Sequence, residues 1–218
     1  LGDVYKRQPT LSEHAKSAGI TFLASPFDFE MVDVLMESGA PAIKVASSET
    51  TKLRFLEYMA KQHVPLIVST GMCDDVDIME AVNACTRMGN SQVALLQCTS
   101  VYPVPQCQVH LKVMDTLRSR YGCVVGYSDH SLGLLGCIAA AARAAQVIEK
   151  HFTLDRSSKG PDHFYSLEPN ELKELVVQIG IIHDMLGSQN KSLQQDEIKY
   201  GRRYGLIAVK NIPAGTVI

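Results

Sequence analysis

The feature that most limits what this chain can fold into is a regular alternation. Short, almost wholly apolar runs follow one another, separated by amphipathic stretches, and each run ends in polar residues. The runs are Ile20 to Ala24, Ala42 to Ala46, Leu66 to Thr70, Val93 to Cys98, Cys123 to Tyr127 and Val147 to His151. Continuous rather than alternating apolarity marks strands buried on both faces, hence a parallel sheet covered by helices. Between them Phe29 to Ser38, Leu53 to Gln62, Val76 to Met88, Val109 to Tyr121 and Leu132 to Ala144 read as helices. Glu168 to Leu186 reads as a long amphipathic helix closed by Gly187. Asp74 and Asp75 favour a helix start beside them, and Pro65 is tolerated where a strand opens. The spacing gives about six β–α units of roughly 20 to 30 residues each.

Two architectures suit such a series, a doubly wound open sheet and a (β/α)8 barrel. No Gly-x-Gly-x-x-Gly follows the first run, which weakens a dinucleotide-binding reading. An open sheet concentrates its site at one switch point, whereas a barrel draws site residues from many strand ends. Here the polar endings are spread over all the runs: Ser25, Ser47 with Ser48 and Glu49, Ser69 with Thr70, Thr99 with Ser100, Ser128 with His130, and His151. The expectation is therefore an incomplete TIM barrel over residues 9–187. Pro9 to Gly19 would be the second helix of a barrel that lacks its first strands.

The ends differ from this pattern. Asp3 to Gln8 looks like the translated end of a transposon adaptor, so Leu1–Gln8 is set apart as a non-native tail, the alternative being an ordinary charged terminus. On the first reading the chain is a fragment. Residues 188–201 are polar and read as a linker. Arg202 to Val209 reads as a strand and Ile212 to Ile218 as a turn and a further strand start, the opening of a small β-rich second domain.

Bulk properties exclude several functions. The 218 residues are 46% apolar, enough for a substantial core, and 21 basic against 23 acidic residues leave a net charge of −2. No basic face for nucleic acid or a membrane surface is implied. The longest apolar stretches are far too short to span a bilayer, and no secretory signal is visible at the amino terminus. Cys73, Cys85, Cys98, Cys107, Cys123 and Cys137 show no Cys-x-x-Cys spacing. Free buried thiols and a reducing cytoplasm are expected.

His130 and His151 close successive runs, separated by one helix. If those strands are parallel neighbours, both imidazoles leave the sheet at one rim, close enough to share a metal ion with open positions for water and substrate. Spacing alone leaves metal binding and a structural role open. His14, His63, His110 and His183 lie in helical or turn segments and are read as structural or surface residues. Lys44, inside an apolar run, is either an edge lysine reaching solvent or a cation in the barrel mouth. With the hydroxyls of Ser47, Ser69, Ser100 and Ser128 it could form a phosphate or carboxylate pocket. Glu49 and Asp162 are rim carboxylates that could hold sugar hydroxyls or move protons.

Ile43-Lys44-Val45-Ala46-Ser47-Ser48-Glu49, Val68-Ser69-Thr70-Gly71-Met72, Leu96 to Pro103, Gly126-Tyr127-Ser128-Asp129-His130, Glu149-Lys150-His151-Phe152-Thr153, Gly160-Pro161-Asp162-His163 and Ser166-Leu167-Glu168-Pro169 together resemble the sialic acid synthase family. The likeness covers residues 20 to 218. It implies a TIM barrel followed by a small antifreeze-like (SAF) domain, and condensation of phosphoenolpyruvate with an N-acetylated hexosamine, typically N-acetylmannosamine, with release of phosphate. It implies that His130 and His151 bind manganese or magnesium and that the metal polarises the open-chain sugar aldehyde. Lys44, Ser47, Ser69, Ser100, Tyr102 and Ser128 would hold phosphoenolpyruvate, and Glu49, Tyr102 and Asp162 would contact the sugar. His130, His151, Lys44 and Asp162 form the expected catalytic set. Ser100 stands where some members carry asparagine, and Ala144-Ala145-Gln146 stands where a glycine is common. The first two barrel strands, with a sugar-binding acid and a second phosphoenolpyruvate lysine, have no counterpart. The family's full-length form is a homodimer in which the antifreeze-like domain lends an arginine to the partner subunit. The isolated chain is therefore expected to be a weak or inactive catalyst. Rival readings are a legionaminic or pseudaminic acid synthase of the same chemistry, and a non-catalytic carbohydrate-binding or scaffold protein.

Overall fold

Five parallel strands pair side by side in chain order, β1-β2-β3-β4-β5, in a computed structural model that describes residues 2–201 and 205–217, with side chains from residue 7. Two units are present, Leu1–Leu186 and Gly187–Ile218. The first opens with α1 (Gly2–Ser17) and α2 (Phe29–Glu37), followed by β1 (Ile43–Val45), the one-turn α3 (Ser47–Thr50) and α4 (Leu53–Ala60). Next come β2 (Leu66–Ser69), α5 (Asp75–Arg87), β3 (Val93–Cys98), α6 (Val113–Tyr121), β4 (Val124–Asp129), α7 (Leu135–Ala142), β5 (Ile148–Lys150) and α8 (Pro169–Leu186). Short 3-10 turns cover Gln106–Gln108 and His163–Tyr165.

Sequential order with a helix in each crossover is the winding of a barrel, since a doubly wound sheet reverses its order at a switch point. Among the described residues β1 and β5 do not pair with each other, so the fold is a parallel half-barrel. Helix starts follow the sequence signals. Asp28 accepts from the Met31 N–H at 2.8 Å, and Asp74 and Asp77 form a reciprocal capping box on α5. The core lies between the outer strand face and the helices. Ile43, Val45, Leu66, Val68, Leu95 and Val125 meet Leu56, Met59, Met114 and Leu117, all buried. Full burial of each such side chain contributes about 1.5–3 kcal/mol. Among the described residues no helix is long and apolar enough to cross a membrane, and Cys73, Cys85, Cys98, Cys107, Cys123 and Cys137 are all free thiols.

Several expectations need correction. The first run, Ile20 to Ala24, is not a strand: its link to β1 is the Lys44 N–H to Ala24 carbonyl bond of 3.2 Å. A single bond does not make a ladder, and Ile20 is 66% exposed. Among the described residues five strands therefore pair rather than six. The helix expected from Val109 begins at Val113, after the 3-10 turn. The reading of Arg202 to Val209 as a strand falls partly on residues 202–204, outside the described residues, while 205–209 form no strand. The stretch read as a linker contains a short helix, α9 (Gln195–Tyr200). The reading of residues 1–8 as a non-native tail concerns their origin, which conformation does not test; residues 2–8 form the first turns of α1.

Ala144, the first residue of the Ala144-Ala145-Gln146 stretch, adopts φ 59°, a left-handed backbone that costs an L residue about 1–2 kcal/mol. The Arg118 guanidinium pins this turn by donating to the Ala144 carbonyl at 3.0 Å. Ala144→Gly should relieve the strain and stabilise the fold by about 1 kcal/mol. Urea unfolding measures it, and an unchanged or lower midpoint would contradict the assignment.

Candidate active site

Because side chains alternate along a strand, the residues that turn away from the helices line the inner face and meet at the carboxyl ends of the strands. Lys44, Ser47, Ser69, Cys98, Ser128, His130, Glu149 and His151 converge there on a cleft of about 490 Å3, joined by Ser25, Tyr102 and Phe152.

One end of the cleft gathers a lysine, a glutamate and several hydroxyls. Lys44 Nζ donates to Ser69 Oγ at 2.7 Å and to the Val45 carbonyl at 2.8 Å, and stands 3.5 Å from Glu149 Oε2. Burial pulls the Lys44 ammonium below its ordinary value of 10.5, and the Glu149 carboxylate partly offsets this by favouring the charged form. Ser128 Oγ donates to Glu149 Oε1 at 2.6 Å. Ser47 Oγ accepts from the Gly71 N–H at 3.0 Å. Glycine is needed at 71, because a Cβ there would lie 2.8 Å from Ser47 Oγ and 2.2 Å from Ser100 Oγ.

The other end holds the two histidines. β4 and β5 are parallel neighbours, and the ring centroids of His130 and His151 are 5.2 Å apart. The Thr99 carbonyl lies 3.1 Å from His130 Nδ1. A carbonyl only accepts, so Nδ1 carries the proton and Nε2 keeps its lone pair. Burial lowers the His130 pKa from its ordinary value, which favours the neutral ring. Tyr102 stacks 4.2 Å from His130, and Tyr165 lies 5.1 Å from His151. Asp162 Oδ2 is 3.9 Å from His151 Nδ1, and Asp162 Oδ1 accepts from the Tyr165 hydroxyl at 2.6 Å. Two neighbouring imidazoles suit a divalent cation that keeps its other positions for water or substrate. Among the described residues no group of three or more His, Cys, Asp or Glu side chains is placed to hold a metal ion, so the two imidazoles would need further ligands from substrate or water.

Of the residues singled out in the sequence, Lys44, Ser47, Ser69, Tyr102, Ser128, His130 and His151 share this cleft. Asp162 does not line it but stands beside it, 3.9 Å from His151 and bonded to the Tyr165 hydroxyl. Ser100 lines the neighbouring hollow beside Thr99 and His110. Glu49 is not on the cleft wall: α3 turns it inward, and its buried carboxylate takes Lys52 Nζ at 2.7 Å and Ser48 Oγ at 3.0 Å. Sequence reasoning missed Glu149, which bridges Lys44 and Ser128, and Lys150, whose Nζ meets Asp129 Oδ2 at 2.9 Å. The available signal was weaker than that of Lys44: two adjacent opposite charges, Glu149 and Lys150, at the polar end of the last run, just before His151.

A family model described as the NeuB family matches residues 4–191. The chain is 43% identical to the N,N'-diacetyllegionaminic acid synthase of Campylobacter jejuni, over 97% of this chain and 65% of that protein. It is 37% identical to the N-acetylneuraminate-9-phosphate synthase of Homo sapiens, over 95% of this chain and 58% of that one. Among solved structures, an N-acetylneuraminic acid (sialic acid) synthetase from Leptospira borgpetersenii, in complex with citrate, superposes with a TM-score of 0.85 at 34% identity, covering 89% of this chain and 68% of that one. The chain spans 54–65% of the length of the curated relatives it matches at 42–43% identity.

The electrostatics of the cleft give a direct test. Removing the Glu149 charge takes away the main influence that opposes desolvation of Lys44. In Glu149→Gln the titration midpoint of Lys44, followed by NMR of the 13C-dimethylated amine, should move to lower pH than in the parent chain. A midpoint that stays put or rises would show that the two groups do not interact.

Proposed function

The chain belongs to the NeuB family, and from that premise we propose that its cleft serves a synthase joining phosphoenolpyruvate to an N-acetylated hexosamine. The observation that carries the reading is the joining of a lysine–hydroxyl anion pocket to a histidine pair in one cleft. Lys44, Ser47, Ser69 and Ser128 suit the carboxylate and phosphate of phosphoenolpyruvate, with charge-assisted bonds from Lys44 contributing most. A bound substrate anion would replace Glu149 as the counter-charge of Lys44.

His130 and His151 would hold a manganese or magnesium ion. Such an ion, when bound, polarises the aldehyde oxygen of the open-chain sugar. In the proposed reaction the methylene carbon of phosphoenolpyruvate forms a bond to the aldehyde carbon. Water adds to the resulting cationic carbon, and its C–O bond to phosphate then breaks, releasing inorganic phosphate. Tyr102, packed on His130, and Asp162, beside His151, border the space left for the sugar.

N-acetylmannosamine is the first candidate acceptor. The 43% identity to a legionaminic acid synthase supports a diacetylated hexosamine as the second, with the same bond-forming steps. β1 and β5 leave unpaired edges and an open cleft among the described residues, so the isolated chain is expected to bind phosphoenolpyruvate but to turn over slowly.

Calorimetry with phosphoenolpyruvate and manganese tests the reading. Lys44→Met should weaken binding by about 10-fold or more, the loss of one hydrogen bond to a charged group. His130→Ala should abolish the dependence of binding on manganese. Phosphate release assayed with N-acetylmannosamine and with diacetylated hexosamines separates the acceptors. No affinity for either phosphoenolpyruvate or manganese would favour a non-catalytic carbohydrate-binding protein.

A further inference from the structure

Directly behind the histidine pair lies a polar cluster that the reaction does not use. Asp129 of β4 and Lys150 of β5 are register partners, and their side chains are 0% and 3% exposed. The Asp129 carboxylate takes four donors. Oδ2 accepts from Lys150 Nζ at 2.9 Å and Cys137 Sγ at 3.2 Å, and Oδ1 from the Ser131 N–H at 2.8 Å and the Tyr127 hydroxyl at 2.9 Å. Lys150 Nζ also donates to the Ser131 carbonyl. The carboxylate rests on the bare backbone of Gly136 in α7, where a Cβ would lie 3.0 Å from both of its oxygens.

Stability alone gives no reason for this arrangement. Desolvating two charges can cost more than their attraction returns, and well-packed apolar replacements of such pairs are often neutral or stabilising. What the pair does fix is register. A slip of one residue would send every side chain of a strand to the opposite face. His130 directly follows Asp129, and His151 directly follows Lys150, so each imidazole is held one peptide from the pair, on the cleft side. Beyond the pair the backbone is held again, as the His130 carbonyl accepts from the Val104 N–H at 3.0 Å and the His151 carbonyl from the Leu167 N–H at 2.9 Å.

We propose that Asp129 and Lys150 are positioning residues, a buried pair that locks the ends of β4 and β5 so that His130 and His151 stand at the spacing needed to share one divalent cation. This rests on the reading above that the two imidazoles bind such an ion.

The test separates position from stability. The double substitution Asp129→Leu with Lys150→Met replaces the pair with apolar groups of similar size. Its urea midpoint should fall moderately, because the Tyr127 hydroxyl and the Ser131 N–H lose their acceptor, while the retained core volume keeps the variant folded and unfolding cooperatively. Manganese affinity, read from the free-ion signal in electron paramagnetic resonance, should fall about 10- to 100-fold, the usual effect of removing groups that orient metal-binding histidines. In metal-free protein, long-range 1H–15N NMR should show His130 losing its single Nδ1–H form. Lys150→Arg, which keeps the charge, should recover most of the affinity. A stable double variant with unchanged ring spectra and unchanged manganese affinity would overturn the proposal. Should the double variant not fold, Asp129→Asn takes its place in both measurements, and unchanged spectra and affinity there overturn the proposal equally. If the parent chain itself binds no manganese, the metal reading fails, and the ring spectra still decide whether the pair positions the histidines.

Discussion

In a parallel strand successive side chains leave opposite faces, and in this sheet that alternation couples the core to the cleft. Ile43 and Val45 are fully buried under the helices, so Lys44 between them must face the inner side. Tyr127 and Asp129 point toward α7, so Ser128 and His130 do not. On β1 and β4 the polar side chains that face the cleft are held by the burial of their neighbours. Disturbing the apolar set would move the polar one with it, since a well-packed interior transmits displacement rather than absorbing it.

The cleft combines charges that are balanced but not sealed. Lys44 has Glu149 and Ser69 as partners, yet the Glu149 side chain is 38% exposed. A partly solvated counter-ion can be exchanged for a ligand at modest cost, whereas Asp129 and Lys150, with no access to water, have no such alternative. Lysine–carboxylate pairs thus occur in two settings: Lys44 of β1 with Glu149 of β5 is a partly exposed pair in the cleft, and Lys150 of β5 with Asp129 of β4 is a buried pair between neighbouring strands.

Much of this was legible in the sequence because the signals were local. A lysine inside Ile43-Lys44-Val45 has to find a partner, and histidines closing two consecutive runs have to share a rim if the strands are parallel neighbours. The misses depended on information that no short window contains. Glu149 and Lys150 stand as adjacent charges before His151, and which residues they meet depends on the pairing of β4 with β5. Glu49 follows β1 in the motif, and only the tight turn of α3 shows that it faces Lys52 instead of the cleft. Ile20 to Ala24 has strand-like composition, yet a strand is defined by its partners, and this segment makes one backbone bond to β1.

The departure at Ala144 belongs to the same logic. The turn between α7 and β5 must deliver the chain so that Ile148 comes level with Tyr127 and Lys150 level with Asp129. A left-handed residue accomplishes that reversal, and alanine does so under strain, held by the Arg118 guanidinium on the carbonyls of Arg143 and Ala144. Two residues further on, the Gln146 N–H bonds the Val125 carbonyl at 2.9 Å, and the Tyr127 N–H bonds the Val147 carbonyl at the same distance. Beyond the strained entry to β5, the ladder with β4 runs from Ile148 opposite Tyr127 to Lys150 opposite Asp129, where the two side chains meet at 2.9 Å. That register brings His151 beside His130.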